Sequence, residues 1–319
     1  MNRGVEQPTG APLLMPTVSE RLRLMHVHAH PDDESSKGAA STARYVGEGV
    51  DVLVVSCTGG ERGDILNPAV DDEQTRADLP AVRRREMQEA ARILGVRHEW
   101  LGFVDSGYPQ SDEQGVMPPL PAGCFADISL DAPTAALVRL IREQRPHVLT
   151  TYDENGGYPH PDHIRCHEVS MAAVAAAADS EFMPESGPAW QVLKVYYHAG
   201  FHFERVRTLH EAAVARGLES PFGDWLAGWD HSGDREVTTF VPCEPGHFQA
   251  RDDALRAHAT QIDPTRWFVI PAHEQHAVWP TEDFELARTW VPVELPEDDV
   301  FAGLRESADS AVSNAKVDA

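Results

Sequence analysis

Cysteine is scarce in this chain: four residues in 319, at positions 57, 124, 166 and 243, with no Cys-x-x-Cys pair. That excludes a paired-cysteine zinc or redox motif, and reduced, buried thiols in a cytoplasmic protein are expected. Long apolar runs are also missing. Nothing approaches the ~18 residues of a membrane helix, so no membrane partner is expected. Met1 to Pro16 lacks the basic start and apolar centre of a signal peptide, and residues 1–18 read as a disordered leader. Positive charge is in short supply: 27 Lys and Arg stand against 51 Asp and Glu, a net charge of −24. Such a surface argues against nucleic acid or anionic lipid as a partner, and an ordinary solvated acidic surface accounts for it. There is no Gly-Lys-Ser/Thr and no Gly-x-Gly-x-x-Gly, so the glycine-rich stretch Thr58–Asp64 gives little support to a nucleotide site. Internal repeats are absent, and oligomeric state is not legible.

Strand and helix patterns alternate through the first two thirds. Apolar runs at 22–29, 51–57, 98–103, 146–152 and 192–198 read as strands, and 35–48, 80–94, 134–143 and 164–178 read as helices. Strand, helix and strand within a short span make βαβ units, so the strands are expected to be parallel. The long Pro-, Gly- and Asp-rich segment 109–132 reads as a surface loop. The last third is less regular, with helices expected around 208–216, 248–260 and 281–289 and a strand at 237–241. These patterns predict an α/β domain over 19–200, a substrate-side part over 201–297 packed on it, and a disordered tail over 298–319.

Two strand-to-helix junctions carry the chemistry. The first reads His30-Pro-Asp-Asp33 and the second His160-Pro-Asp-His163. In a parallel sheet, the first and fourth strands can lie side by side where strand order reverses, and their C-terminal ends then share one cleft. His30, Asp33 and His163 could there bind one metal as two imidazoles and a carboxylate, leaving a position open for water. The set suits zinc, one ion per chain, and also Fe(II). Asp32 projects differently from Asp33 and can act as general base on that water. His160 can carry a positive charge facing an oxyanion or protonate a leaving amine. Asp162 can fix an imidazole tautomer, and Tyr158, beside two glycines, can bring its hydroxyl into the site. Glu61 and Arg62 lie on a loop suited to substrate contact. His26 and His28 lie on the strand and read as packed; His198, His202, His258, His273 and His276 read as non-ligands.

Ala29-His-Pro-Asp-Asp-Glu34 together with His160-Pro-Asp-His163 resembles the zinc-dependent N-deacetylases of the LmbE/PIG-L family, in order from about Arg21 to His198. The resemblance implies a Rossmann-like, mostly parallel sheet with helices on both faces and a smaller, less regular C-terminal part. It implies hydrolysis of an amide on an N-acylated glucosamine, with zinc on His30, Asp33 and His163 and Asp32 as base. Tyr158 and His160 would support the oxyanion, with Asp162 behind His160, and Lys37, Glu61, Arg83 and Asp105 would contact substrate. Ser35-Ser-Lys37, Thr58–Pro68, Val104–Pro109, His258–Pro264 and Val278–Ala287 resemble an amidase branch acting on S-conjugates of mycothiol. A sister branch, deacetylating N-acetylglucosaminyl-inositol, would not be expected to carry Lys37 or the Trp279-Pro-Thr-Glu-Asp-Phe284 stretch.

Overall fold

Apolar runs that must be covered on both sides set the architecture. The computed structural model describes residues 21–110 and 117–305; the expected leader and residues 306–319 of the expected tail lie outside the described residues. Five parallel strands form the frame: β1 (Arg23–His28), β2 (Asp51–Thr58), β3 (Arg97–Phe103), β4 (Val148–Thr151) and β5 (Lys194–His198). Around them run α1 (Asp33–Ser36), α2 (Ala39–Gly47), α3 (Glu73–Ala77), α4 (Leu79–Leu94), α5 (Asp131–Gln144) and α6 (Pro161–Ala178). The C-terminal third supplies α7 (Phe203–Ala215), α8 (Gly223–Ala227), β6 (Thr239–Pro242), α9 (Pro245–Ala257), α10 (Pro264–Trp267), α11 (Ala272–Val278) and β7 (Thr281–Thr289). The sheet order is β3-β2-β1-β4-β5-β7-β6.

The alternation of side chains along a strand divides the core into two layers. Met25 and Val27 of β1 face the layer where α5 and α6 bring Leu137, Ile141, Val169 and Val174. Leu24 faces the opposite layer, which holds Tyr45 of α2 and Phe248 of α9. Helices therefore cover both faces, as predicted. The expected contact between the first and fourth strands is also present: β1 lies between β2 and β4, so strand order reverses there.

Three expectations differ from the structure. Residues 281–289 form β7, not a helix, and pair antiparallel with both β5 and β6. Their Glu, Leu, Ala and Arg content favours helix locally, but Phe284 and Leu286 are buried in the sheet's core, and tertiary pairing overrides the weak propensity. The helix expected over 35–48 is broken into α1 and α2 at Gly38, whose φ is 85°. A Cβ there would lie 2.9 Å from the His198 ring, so only glycine fits the turn. Finally, the segment assigned to the tail from Asp298 begins as packed structure: Val300, Phe301 and Leu304 are buried.

That segment is joined to the sheet by a buried ion pair. Lys194 Nζ donates to Glu297 Oε1 at 2.5 Å, and the Tyr196 hydroxyl donates to Glu297 Oε2 at 2.7 Å. Lys194 and Glu297 are 0% and 5% exposed. Lys194→Met strands a buried carboxylate and is expected to cost about 3–5 kcal/mol in a denaturant titration. Adding Glu297→Gln should recover a large part of that loss, whereas no loss in the single variant would contradict a paired buried charge.

Candidate active site

Both His-Pro-Asp junctions follow strands that are neighbours in the sheet, so the topology brings their side chains to the carboxyl end of β1 and β4. Proline at the first position of α6 starts that helix immediately after His160, which turns Asp162 and His163 inward; both are fully buried. At the other junction Asp32 caps α1 with a φ of 113°, an unusual conformation for a residue with a side chain. Such strain, roughly 1–3 kcal/mol, persists only where the surroundings impose it. The Asp32 amide donates to Glu34 Oε2 at 2.9 Å, while Arg83 donates to Asp32 Oδ2 at 3.1 Å and to the Pro31 carbonyl at 2.6 Å.

His30, Asp33 and His163 form one group of potential ligand atoms, all within 4.8 Å of one another. Hydrogen bonding fixes which nitrogens face inward. His163 Nδ1 donates to the Gly156 carbonyl at 2.9 Å, which leaves Nε2 as a lone pair; it is buried without a hydrogen-bond partner and lies 3.5 Å from Asp33 Oδ2. His30 Nε2 donates to Asp162 Oδ2 at 3.2 Å, so its Nδ1, also 3.5 Å from Asp33 Oδ2, faces the same point. Asp33 Oδ2 also accepts from the His30 amide at 3.0 Å, and the two imidazole nitrogens that face it at 3.5 Å are lone pairs directed at a carboxylate, an arrangement that a bridging cation relieves. The three residues therefore fit a divalent metal in donor type, tautomer and convergence.

Electrostatics separates the neighbouring groups. Burial opposes protonation of His30, but Asp105, Asp162 and Asp33 outweigh it and raise the pKa of the metal-free ring well above the usual histidine value; a metal on Nδ1 would displace that proton. Burial lowers the pKa of His163, and Asp33 offsets this only in part. Asp33 is held well below the carboxylate range because Lys37, His163 and His30 overcome the effect of burial. Burial pushes Asp32 up to about 6, against the pull of the Arg83 guanidinium. That puts Asp32 in the range suited to a base near neutrality.

The remaining predicted residues divide into those facing the open site and those behind it. Asp32, Asp33, Lys37 and Tyr158 line a cavity of about 910 Å³, and Tyr158 is 46% exposed. Lys37 Nζ donates to Asp33 Oδ1 at 2.6 Å. Arg83 is buried: it holds Asp32, Pro31 and the Gly60 carbonyl, so it is placed to position the base. Asp105 is buried too, its carboxylate accepting from the Arg62 and Gly107 amides at 2.8 and 2.7 Å. Glu61 accepts from the Asp105 amide at 3.2 Å and so supports that turn.

Two expected roles are corrected by the geometry. The Asp162 carboxylate stands behind His30, not His160, and is held there by the Ser106 amide at 2.8 Å and the Ser106 hydroxyl. His160 instead caps α6, its Nδ1 accepting from the Asp162 amide at 3.1 Å. Burial, with His30 and His163 nearby, lowers its pKa to about 3. Its neutral form then carries the proton on Nε2, which does not suit the positively charged alternative of the two expected from sequence.

Sequence reasoning missed three supports. The Tyr152 hydroxyl donates to Asp33 Oδ2 at 2.7 Å and accepts from the Ala29 amide at 3.0 Å. Ser106 holds Asp162. His258, fully buried, donates from Nε2 to Glu34 Oε1 at 2.7 Å, and Glu34 in turn holds the Asp32 amide. A tyrosine ending an apolar strand carried only a weak signal, and His258 lies 224 residues from Glu34. His26, His28 and His198 form a second histidine group, in which His26 and His28 are buried and His198 is half-buried. The Thr150 hydroxyl lies between His26 and His198, and Thr42 takes the other nitrogen of His26.

Fold and site together define an α/β enzyme with a histidine–carboxylate centre at the carboxyl end of parallel strands. Residues 25–174 match the family described as PIG-L: GlcNAc-PI de-N-acetylase. A mycothiol S-conjugate amidase of Streptomyces coelicolor is 58% identical over 297 residues, covering 91% of this chain and 100% of that protein. A 1D-myo-inositol 2-acetamido-2-deoxy-alpha-D-glucopyranoside deacetylase of Geodermatophilus obscurus is 38% identical over 295 residues, covering 88% and 98%. The solved N,N'-diacetylchitobiose deacetylase from Pyrococcus horikoshii shares the fold, with a TM-score of 0.55 at 18% identity over 86% of each chain. The chain belongs to the PIG-L (LmbE-like) family. No helix among the described residues is long and apolar enough to cross a membrane.

Proposed function

We propose that this protein is a metal-dependent amidase that hydrolyses mycothiol S-conjugates to a mercapturic acid and glucosaminyl-inositol, a detoxification step. The observation that carries the substrate is the 58% identity, over nearly the whole chain, to a mycothiol S-conjugate amidase. The reading places zinc on His30, Asp33 and His163, one ion per chain; Fe(II) suits the same donors. The convergence of the His163 Nε2 and His30 Nδ1 lone pairs on Asp33 supports it.

A divalent ion there would supply Lewis-acid polarisation of the scissile carbonyl and make water more acidic. The chain's own residues supply the rest. Asp32, fixed by Glu34 and Arg83, takes the proton of the attacking water and returns it to the leaving glucosaminyl amine. The His160 Nε2–H and the Tyr158 hydroxyl donate to the developing oxyanion. Asp162 and Ser106 keep the His30 tautomer, while Tyr152 and Lys37 fix Asp33.

Deacetylation of N-acetylglucosaminyl-inositol is the second reading, supported by the 38% identity to a deacetylase of that kind. A competition assay separates them. The expected result is faster turnover of a bimane conjugate of mycothiol than of N-acetylglucosaminyl-inositol; the reverse order would assign the chain to the deacetylases.

A further inference from the structure

The cavity that holds Asp32 and Asp33 does not end at the ligand cluster. It runs on beneath α7 and α8, where Phe201, Phe203, Trp225, Trp229 and Trp267 line it. Four of these rings form a continuous surface: Phe201 to Trp225 is 5.8 Å between centroids, Trp225 to Trp229 is 5.2 Å and Trp229 to Phe203 is 5.5 Å. The Trp229 indole N–H donates to Asp234 Oδ1 at 2.8 Å, which orients that ring. Phe201, Trp225 and Trp267 are 45%, 44% and 39% exposed. Large apolar side chains gathered in a water-filled cleft are costly unless something covers them. A volume of about 910 Å³ is within the range of small-molecule sites.

We propose that this aromatic wall receives the S-substituent of the conjugate and selects neutral aromatic or apolar groups; the inference rests on the amidase reading above. An acetyl group would leave the wall uncovered, whereas the acyl half of a conjugate extends from the scissile carbonyl through sulfur to its substituent. Charge sets the second part of the preference. The two lysine or arginine side chains lining the cavity are both engaged. Lys37 is bound to Asp33, and Arg235 pairs with Glu285 at 2.5 Å and Glu154 at 2.9 Å. Asp230 lines the same region with Glu204 and Asp234, which are already engaged by Arg207 at 2.6 Å and His231 at 2.7 Å, so an anionic substituent meets acidic groups and no uncommitted lysine or arginine of the lining.

The test uses the full-length, metal-loaded protein and three mycothiol conjugates: S-bimane, S-methyl and S-carboxymethyl. For the unaltered protein, kcat/KM should be highest for S-bimane and lowest for S-carboxymethyl. Trp225→Ala and Trp229→Ala should each lower kcat/KM for S-bimane by roughly tenfold or more while changing S-methyl by less than about twofold, and Trp229→Phe should restore part of the loss. In an Asp32→Asn background, binding of the bimane conjugate should quench bimane fluorescence through indole contact, and the two Trp→Ala changes should remove the quenching. Equal losses on S-bimane and S-methyl, no loss on either, or preference for S-carboxymethyl overturns the wall while leaving the amidase reading intact. If the unaltered protein hydrolyses none of the conjugates but does deacetylate N-acetylglucosaminyl-inositol, the amidase reading fails, and the wall proposal with it.

Discussion

Asp32→Asn is expected to lower kcat on a mycothiol conjugate by ~10²–10⁴-fold, the usual contribution of a positioned proton-transfer group. The amide keeps nearly the same shape and can still accept from Arg83, so thermal stability and metal content should stay close to those of the unaltered protein. What disappears is the capacity to take a proton beside Asp33. Burial that raises Asp32 to about 6 opposes Arg83, which favours the charged form, so the carboxylate is tuned rather than merely exposed. Its φ of 113° and the contacts of Glu34 and Arg83 hold it at one place. Single-turnover kinetics with metal analysis of the same preparation checks the expectation. A variant with near-normal kcat and full metal content would remove Asp32 from the base role.

His163→Ala should have an effect of comparable size by another route. It removes the buried Nε2 lone pair that faces Asp33 and is expected to leave protein that loses its metal on dialysis, with activity reduced beyond the ~10–100-fold typical of changes to groups behind a ligand. Asp162→Asn provides the graded comparison. It weakens the partner of His30 Nε2 without removing a ligand, so its loss should fall within that ~10–100-fold range and be relieved in part by excess zinc. Elemental analysis and activity, measured before and after chelation and metal add-back, read both variants. Retention of one ion per chain by His163→Ala would place the metal elsewhere.

Histidine and aspartate at two strand-to-helix junctions were legible because each motif is local: a strand's apolar run, a proline that starts a helix, and ligand-type side chains within four residues. Strand adjacency was legible as well, since a βαβ chain has few ways to place its first and fourth strands. Residues 281–289 were misread because their composition is helical and only pairing with β5 and β6 makes them a strand. The partner of Asp162 was misassigned for a related reason. Closeness in sequence suggested His160, but the first turn of α6 sends the carboxylate toward His30 and leaves the Asp162 amide to His160.

By itself, then, the sequence determined the alternating α/β frame, the family and the identity of the candidate ligands, because these depend on short-range pattern and residue chemistry. Tertiary structure alone decided which nitrogen of each histidine faces inward, that His160 is neutral, that Arg83 and Asp105 stand behind the site, and that His258 steadies Asp32 through Glu34. It also decided that Phe201, Phe203, Trp225, Trp229 and Trp267 share one cavity with Asp32 and Asp33. Apart from the local bonds of His163 to Gly156 and of His160 to the Asp162 amide, these are contacts between segments far apart in the chain, whose direction is set by packing and burial, and no local pattern encodes them.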